Sequence, residues 1–123
     1  MITGLGVDIV EIDRMRDALR RRPRLKERIF SAEERAYCDQ RSKPEVHYAL
    51  RFAAKEAVSK AMETGWSGQF RWRDVEVVNE ASGAPKVVLH DYVASQLAQC
   101  KVHVSLSHTE NTVVAFAIIE KQE

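Results

Sequence analysis

The sequence predicts an α+β fold, with a mostly antiparallel sheet and helices packed on one side of it. Three observations favour this class. A strand pattern opens the chain, a series of helical patterns follows as far as Gly65, and four strand patterns with one short helix fill the second half. At 123 residues, of which 45% are hydrophobic, the chain can build one core, and we expect residues 1–123 to form a single domain.

The opening strand is predicted from Met1 to Val10, where two kinds of residue alternate. One face carries Leu5, Val7 and Ile9, and the other carries Gly4, Gly6 and Asp8. The two glycines leave space for another element to approach that face. Two interpretations of Asp8 stay open: it caps the turn that follows the strand, or it is a carboxylate held on a rigid element and facing a cavity.

Two helices of moderate length are predicted after this strand. The first begins near Asp13 and is interrupted at Pro23, which cannot continue a helix. Its inward residues are Met15, Ala18 and Leu19. The second begins with the capping-box sequence Ser31 to Glu34 and extends to about Gln40.

The strongest helical pattern covers Leu50 to Gly65. Its apolar residues recur at steps of three and four, as on one helix face, and four of the six are alanines. They are Leu50, Ala53, Ala54, Ala57, Val58 and Ala61. Ser42 as a cap, Pro44 and Glu45 in the first turn, and Gly65 as a left-handed terminal residue predict where this helix begins and ends. Because alanine is small, we expect whatever packs on this face to approach the helix backbone closely.

A hairpin and a short helix are predicted next. Val75 to Asn79 and Pro85 to Leu89 have strand patterns, and residues 81–84 supply the turn between them. Asp91 to Gln99 fits a short helix. Its inward residues are Val93, Leu97 and Ala98.

Two further strand patterns end the chain. Lys101 to Leu106 alternates, residues 107–111 read as a turn, and Thr112 to Ile119 is almost continuously apolar. Such continuity predicts burial of the last strand on both faces, by a helix layer or by another subunit. We assign Trp66 and Trp72 to packing.

Composition and charge exclude several classes of protein. The net charge of +1 does not favour a general nucleic-acid binder, and no apolar run is long enough to span a membrane. Neither a signal peptide nor a metal-ligand spacing of Cys38 and Cys100 is seen. We therefore expect a cytoplasmic protein with two free thiols and without a nucleic-acid or membrane partner.

Positive charge is nevertheless concentrated in one segment. Residues 14–28 contain eight lysines and arginines but only two acids. A face of this kind attracts an acidic protein partner, or it is merely solvated, and the sequence leaves both interpretations open.

Glu56 and Lys60 lie four residues apart, so they are neighbours on one helix face. They form either an ordinary surface ion pair or part of a site. If the long helix crosses the first strand, Glu56 meets Asp8, and two carboxylates without a nearby histidine or cysteine suit Mg²⁺ better than zinc. Lys60 would then reach a phosphate, and this combination of groups is typical of phosphoryl transfer.

Five motifs in this order add a resemblance: GVDIVEIDRM, FSAEE, RFAAKEAVSKAM with the following Gly65, SGAPKV, and SLSHT. Together they closely resemble the holo-acyl-carrier-protein synthase family, the small type of 4′-phosphopantetheinyl transferase. The resemblance spans nearly the whole chain. Its most specific part is GVD combined with FAAKEAxxKA at this separation, whereas SGxP or SHT alone would carry little weight.

The resemblance implies a Mg²⁺-dependent transfer of 4′-phosphopantetheine from CoA to a serine of an apo-acyl carrier protein or carrier domain, with release of adenosine 3′,5′-bisphosphate. By position, Asp8, Glu56 and Lys60 match the catalytic residues, and the two acids match the metal ligands. The positions matched to CoA binding are Arg51, Lys60, Gly65, Gly83, Pro85, His108 and Thr109. A homotrimer with its active sites between subunits is also implied.

Several points stay hypotheses. Glu56, directly or through a water, is our candidate for the base that takes the serine proton. The resemblance gives the arginine-rich segment an acidic carrier protein as its partner. We expect Arg14 at the centre of that contact, with Arg20, Arg21 and Arg24 around it. His108 could instead be an ordinary turn residue.

Two other functions remain open. The first is a non-catalytic basic module that binds an acidic protein. The second is another Mg²⁺-dependent nucleotide enzyme, against which the absence of a glycine-rich P-loop motif counts.

Overall fold

The computed structural model of the protein describes residues 1–62 and 69–123. The first half contains β1 (Ile2–Glu11), α1 (Ile12–Arg21), α2 (Leu25–Ile29), α3 (Ala32–Asp39) and α4 (Pro44–Ala61). The second half contains a 3₁₀ helix (Trp72–Asp74), β2 (Val75–Asn79), β3 (Pro85–Leu89), α5 (Asp91–Gln96), β4 (Cys100–His108) and β5 (Thr112–Lys121).

The strands form two antiparallel sheets. β5 lies in the middle of a three-stranded sheet between β1 and β4, and β2 pairs with β3 in a two-stranded sheet. Helix α4 packs across β1 and β5. The predicted α+β class, with helices on one side of an antiparallel sheet, is confirmed.

The close contact between α4 and β1 depends on Gly4 and Gly6. A Cβ at Gly4 would lie 1.9 Å from the carbonyl oxygen of Ala61, and a Cβ at Gly6 would lie 1.9 Å from that of Ala57. All six apolar residues predicted for the long helix are buried, as expected. The helix backbone therefore rests directly on the glycine face of the strand, the same face that carries Asp8.

The opposite face of the three-stranded sheet is open. Leu5, Val7, Ile9 and Phe116 are 58%, 50%, 66% and 40% exposed, whereas Val113, Ala115, Ala117 and Ile119 of β5 are buried beneath α4. Within one chain, helices thus cover one face of β5. The sequence predicted burial of both faces, and the described residues do not bury the other one.

Three local predictions were wrong. Ser42 does not cap α4, because Lys43 takes that position without a side-chain hydrogen bond, although Pro44 opens the helix as expected. Helix α5 ends at Gln96, which leaves Ala98 exposed. Strand β4 continues through residues 107 and 108, because both pair with β5, so the last turn is shorter than predicted.

Other local predictions hold. Both hydrogen bonds of the capping box at Ser31 and Glu34 are present, and both strands of the hairpin have the predicted bounds. Helix α2 was not predicted. Gly65 and Trp66 lie outside the described residues, so the expected end of the long helix at Gly65 is untested. None of the helices within residues 1–62 and 69–123 is long and apolar enough to cross a membrane.

Candidate active site

Asp8, Glu56 and Lys60 line one cleft of about 600 Å³. The ammonium of Lys60 donates to Asp8 Oδ1 at 2.9 Å and to the carbonyl oxygen of Val7 at 3.1 Å. Asp8 comes from β1 and the other two from consecutive turns of α4, so the helix–strand contact at the glycines brings them together. We call this region the carboxylate cleft.

The ionisation of Glu56 depends on its surroundings in the carboxylate cleft. Burial first, and then the negative charge of Asp8, raise the pKa of Glu56, while Lys60 acts in the opposite direction. Burial is the larger cause, and the charge of Asp8 acts in the same direction because the two carboxylates share the cleft. A cation placed between them would stabilise both as anions.

The cleft fits the divalent cation that the sequence led us to expect, though as a partial site. Among the described residues no group of three or more His, Cys, Asp or Glu side chains could hold a metal. Two carboxylates in one cleft match the way Mg²⁺ binds, because that ion keeps several positions for water and for phosphate oxygens. Asp8 and Glu56 are therefore the residues that would hold it.

The other walls of the cleft are largely apolar. Side chains from α1, α2, α4 and the 3₁₀ helix contribute Met15, Ala18, Leu25, Ile29, Phe52 and Trp72. The ring of Trp72 lies 5.1 Å from that of Phe52, centroid to centroid. Trp72 thus packs as expected, and it also lines the cleft, which the sequence had not indicated.

Of the arginines predicted to contact a carrier protein, Arg14 alone is among the cleft residues. Arg21 and Arg24 are exposed, while Arg20 lines a different groove with Lys26. Arg28 was not singled out from the sequence, yet it lines the cleft with Arg14. Their position next to two carboxylates was not visible from composition.

Apart from Lys60, the described residues matched to CoA binding lie outside the carboxylate cleft. Arg51 is only 3% exposed, and its Nη2 donates to Asn79 Oδ1 at 2.6 Å. The amide of Asn79 donates in turn to the carbonyl of Gly83 at 3.0 Å. Gly83 has φ of +90° in the turn before Pro85, a conformation that favours glycine. Arg51 and Gly83 are thereby connected through Asn79, which is also paired with Pro85 across the hairpin.

A group of basic side chains surrounds Tyr37 beside Arg51. The guanidinium carbons of Arg41 and Arg51 lie 3.9 Å and 4.3 Å from the centroid of the Tyr37 ring, and the ring of His47 is 5.8 Å away. Burial, followed by the charges of Arg51, Arg41 and His108, lowers the pKa of His47. We call Arg41, His47, Arg51 and His108 the cationic cluster, which suits an anionic ligand such as a phosphate.

The structure thus separates the predicted site residues into two groups. Arg51 and Glu56 are five residues apart in α4, so their side chains point about 140° apart around the helix axis. None of Arg51, Gly83, Pro85, His108 and Thr109 is among the described residues that line the carboxylate cleft. Gly65, also matched to CoA binding, lies outside the described residues. Tyr37, Arg41 and His47 were missed by the sequence analysis.

Comparison with known proteins identifies the relatives of this chain. The family model of the 4′-phosphopantetheinyl transferase superfamily matches residues 4–117. The holo-[acyl-carrier-protein] synthase of Moorella thermoacetica is 42% identical over 118 residues, which cover 94% of this chain and 91% of that protein. The protein of the same name from Geobacter metallireducens is 43% identical over 125 residues, covering 98% and 99%.

Solved structures of similar proteins share the fold. A holo-[acyl-carrier-protein] synthase from Neisseria meningitidis superposes with a TM-score of 0.89 at 34% identity, covering 98% of this chain and 100% of that one. A holo-(acyl-carrier-protein) synthase from Bacillus anthracis, solved in complex with CoA (3′,5′-ADP), has a TM-score of 0.84 at 34% identity and covers 99% of both chains.

Proposed function

This chain belongs to the 4′-phosphopantetheinyl transferase superfamily, and on that premise we propose that it transfers 4′-phosphopantetheine from CoA to a serine hydroxyl of an apo-acyl carrier protein. Holo-acyl carrier protein and adenosine 3′,5′-bisphosphate are the products. The observation that carries the proposal is the convergence of Asp8, Glu56 and Lys60 in one cleft of a chain from this family.

We propose that the carboxylate cleft is the centre of the reaction. Asp8 and Glu56 would hold Mg²⁺, which would supply positive charge to neutralise the diphosphate of CoA. Lys60, half-exposed at the end of α4, turns from Asp8 to the diphosphate and balances negative charge as the bisphosphate leaves. Its flexible chain allows this exchange of partners without movement of the helix.

Glu56 is our candidate for the group that removes the serine proton. Without a metal, burial and Asp8 raise the pKa of Glu56, and bound Mg²⁺ would act in the opposite direction, so the role of base rests on the position of Glu56 in the cleft, from which it would take the proton directly or through a water. The apolar walls formed by Phe52 and Trp72 limit water around the reacting groups and strengthen the electrostatic interactions there.

We propose that the cationic cluster, with Gly83, Pro85 and Thr109, binds the nucleotide end of CoA. Two guanidinium groups and two imidazoles favour phosphate, and the Arg51–Asn79–Gly83 hydrogen bonds hold the hairpin turn next to them. Gly65, which lies outside the described residues, remains a candidate from the sequence alone.

The separation of the two regions supports a homotrimer with active sites between subunits. An exposed apolar sheet face around Leu5, Val7, Ile9 and Phe116 suits burial against further copies of the chain. One copy would then supply the carboxylate cleft and its neighbour the cationic cluster. We further propose that residues 1–123 act as one domain in the cytoplasm, where Cys38 and Cys100 stay free thiols.

The decisive experiment is to incubate the protein with CoA, Mg²⁺ and an apo-acyl carrier protein and to weigh the carrier by mass spectrometry. We expect a gain of one phosphopantetheine group, and none in the presence of a chelator. A carrier that is bound but unchanged in mass would instead indicate a non-catalytic basic module.

Subunit complementation tests the shared site. Glu56→Gln and Arg51→Ala are each expected to be nearly inactive, because each lacks one half of every site. Mixed oligomers formed by refolding the two together should recover part of the activity if one site uses both subunits. No recovery in confirmed mixed oligomers would place both halves in a single chain.

A further inference from the structure

A buried ion pair involves Lys55, the neighbour of Glu56 on α4. The side chains of Lys55 and Glu34 are both 0% exposed, and the ammonium donates to Glu34 Oε1 at 2.9 Å. Lys55 directly precedes Glu56 on α4, so its side chain points about 100° away from that of Glu56, and it is fully buried. No step of the proposed reaction uses it, so its burial needs another explanation.

The pair joins four elements. Besides Glu34 on α3, Lys55 donates to the carbonyl oxygen of Trp72 in the 3₁₀ helix, at 3.1 Å, and to that of Val75 at the start of β2. Glu34 Oε2 accepts from the backbone N–H of Val77 at 3.0 Å. The pair therefore satisfies backbone atoms of the 3₁₀ helix and of β2, and it ties the 3₁₀ helix to α4.

The 3₁₀ helix matters because Trp72 forms part of the cleft wall. Its ring packs on Phe52, one turn before Glu56 on α4. A change in the position of the Trp72 backbone would move this wall relative to Glu56 and Asp8. Since reacting groups held about 1 Å out of place can lose about a hundredfold in rate, such a change would be felt in turnover.

We propose that Lys55 and Glu34 are positioning residues that set the width of the carboxylate cleft through the backbone of Trp72. This inference rests on the proposed transferase function for its kinetic consequence only. Its structural part, the coupling of the buried pair to the surroundings of Trp72, can be measured without substrate.

The test replaces both charges, because removing one alone would leave its partner buried and unpaired. In the Trp66→Phe background, where Trp72 is the remaining tryptophan, we compare the parent with Lys55→Met/Glu34→Gln. The expected result is a folded protein with a shifted Trp72 emission maximum. Its kcat/KM for the carrier protein should fall about tenfold or more, mostly in kcat, because the reacting groups are misplaced.

Tyr48→Phe is the matched control. The hydroxyl of Tyr48 donates to Asp39 Oδ1 at 2.7 Å and so also joins α3 to α4, and its hydrogen bonds within residues 1–62 and 69–123 go to α3 alone. A purely structural role predicts that variants with equal losses of thermal stability lose equal activity. The proposal predicts that Tyr48→Phe keeps both its Trp72 emission and its kcat.

Glu34→Asp provides a second route if the double variant does not fold. It keeps the charge but withdraws the carboxylate by one methylene, so a smaller shift of Trp72 emission and a smaller loss of kcat are expected. Unchanged emission and kinetics in either folded variant would overturn the proposal. A wild-type protein that does not modify the carrier would instead refute the proposed function, and the emission measurement would still decide the structural part.

Discussion

The carboxylate cleft brings two acids together beside one lysine, whereas the cationic cluster brings arginine and histidine side chains together. In the cleft, the proximity of Asp8 helps to raise the pKa of Glu56, and in the cluster the neighbouring cations help to lower the pKa of His47. Both shifts favour a neutral side chain, that of Glu56 in the cleft and that of His47 in the cluster. A ligand that brings cationic charge to the carboxylate cleft and phosphate to the cationic cluster would favour the charged forms of both Glu56 and His47.

The two regions also differ in how they are built. The cleft depends on backbone contact between a helix and a strand, at Gly6 and Ala57, with little side-chain volume between them. The cluster depends on stacking and hydrogen bonds of long side chains around Tyr37 and Asn79. Substitutions should therefore affect the cleft through geometry and the cluster through affinity.

The largest effect is expected from Glu56→Gln in the cleft. Losing both a metal ligand and the candidate base should lower kcat about a hundredfold or more, measured by carrier modification. Glu45→Gln is the matched control, because Glu45 lies on the same helix and pairs with Arg16 outside the cleft. Full turnover by Glu56→Gln at saturating Mg²⁺ would show that this carboxylate is not the base.

The difference in thermal stability between Glu56→Gln and the wild type should depend on pH. Because the pKa of Glu56 is raised in the folded protein, its ionised form destabilises the fold above that pKa. Without metal, Glu56→Gln should unfold at a higher temperature than the wild type at neutral pH. The difference should shrink as the pH falls through the folded pKa and vanish below the unfolded value. A wild type more stable than the variant at neutral pH would contradict the assigned sign.

Two glycine variants compare the close helix–strand contact beneath the cleft with the open hairpin turn beside the cluster. Gly6→Ala places a methyl group against the Ala57 backbone and should lower the free energy of unfolding by about 3 kcal/mol while opening the cleft. Gly83→Ala meets no atom within 4 Å and is strained only by its φ of +90°, so about 1 kcal/mol is expected. Urea unfolding measures both, and equal losses would refute the close-contact argument.

Arg41→Gln probes the cluster. Arg41 is exposed and stacks on Tyr37, so the variant should fold normally. We expect KM for CoA to rise about tenfold, as for the loss of one charge-assisted contact, with kcat changed much less. Lys121→Gln, which removes an exposed positive charge at the end of β5, should leave KM unchanged. A fall confined to kcat would place Arg41 with the chemistry rather than with binding.

The smallest effect is expected at the rim of the cleft. Arg14→Ala should lower kcat/KM for the carrier about fivefold at low ionic strength and flatten its dependence on salt. Arg20→Ala should change it less, because Arg20 lines a different groove. If the wild-type kcat/KM does not vary with salt between low and physiological ionic strength, the cationic surface has no role in carrier encounter.

Much of the cleft could be predicted because it depends on short periodic patterns within β1 and α4. The alternation that puts Gly4, Gly6 and Asp8 on one face of β1 is a two-residue period, and the alanine stripe of α4 is a three-to-four-residue period. Each pattern can be read from a few consecutive residues. Two surfaces without bulky side chains then have few ways to pack, which made the meeting of Asp8 and Glu56 predictable.

The sequence by itself therefore determined the class of fold, the bounds of the hairpin, the capped start of α3 and the convergence of two carboxylates. Only the tertiary structure decided that Lys55 is buried against Glu34, that Trp72 and Arg28 line the cleft, and that Arg41 and His47 gather around Tyr37. The reason is physical. A hydrophobic period shows which face of a helix or strand is apolar. The partner of a polar side chain depends instead on how separate elements pack together. A charged side chain can be buried only where such a partner is present.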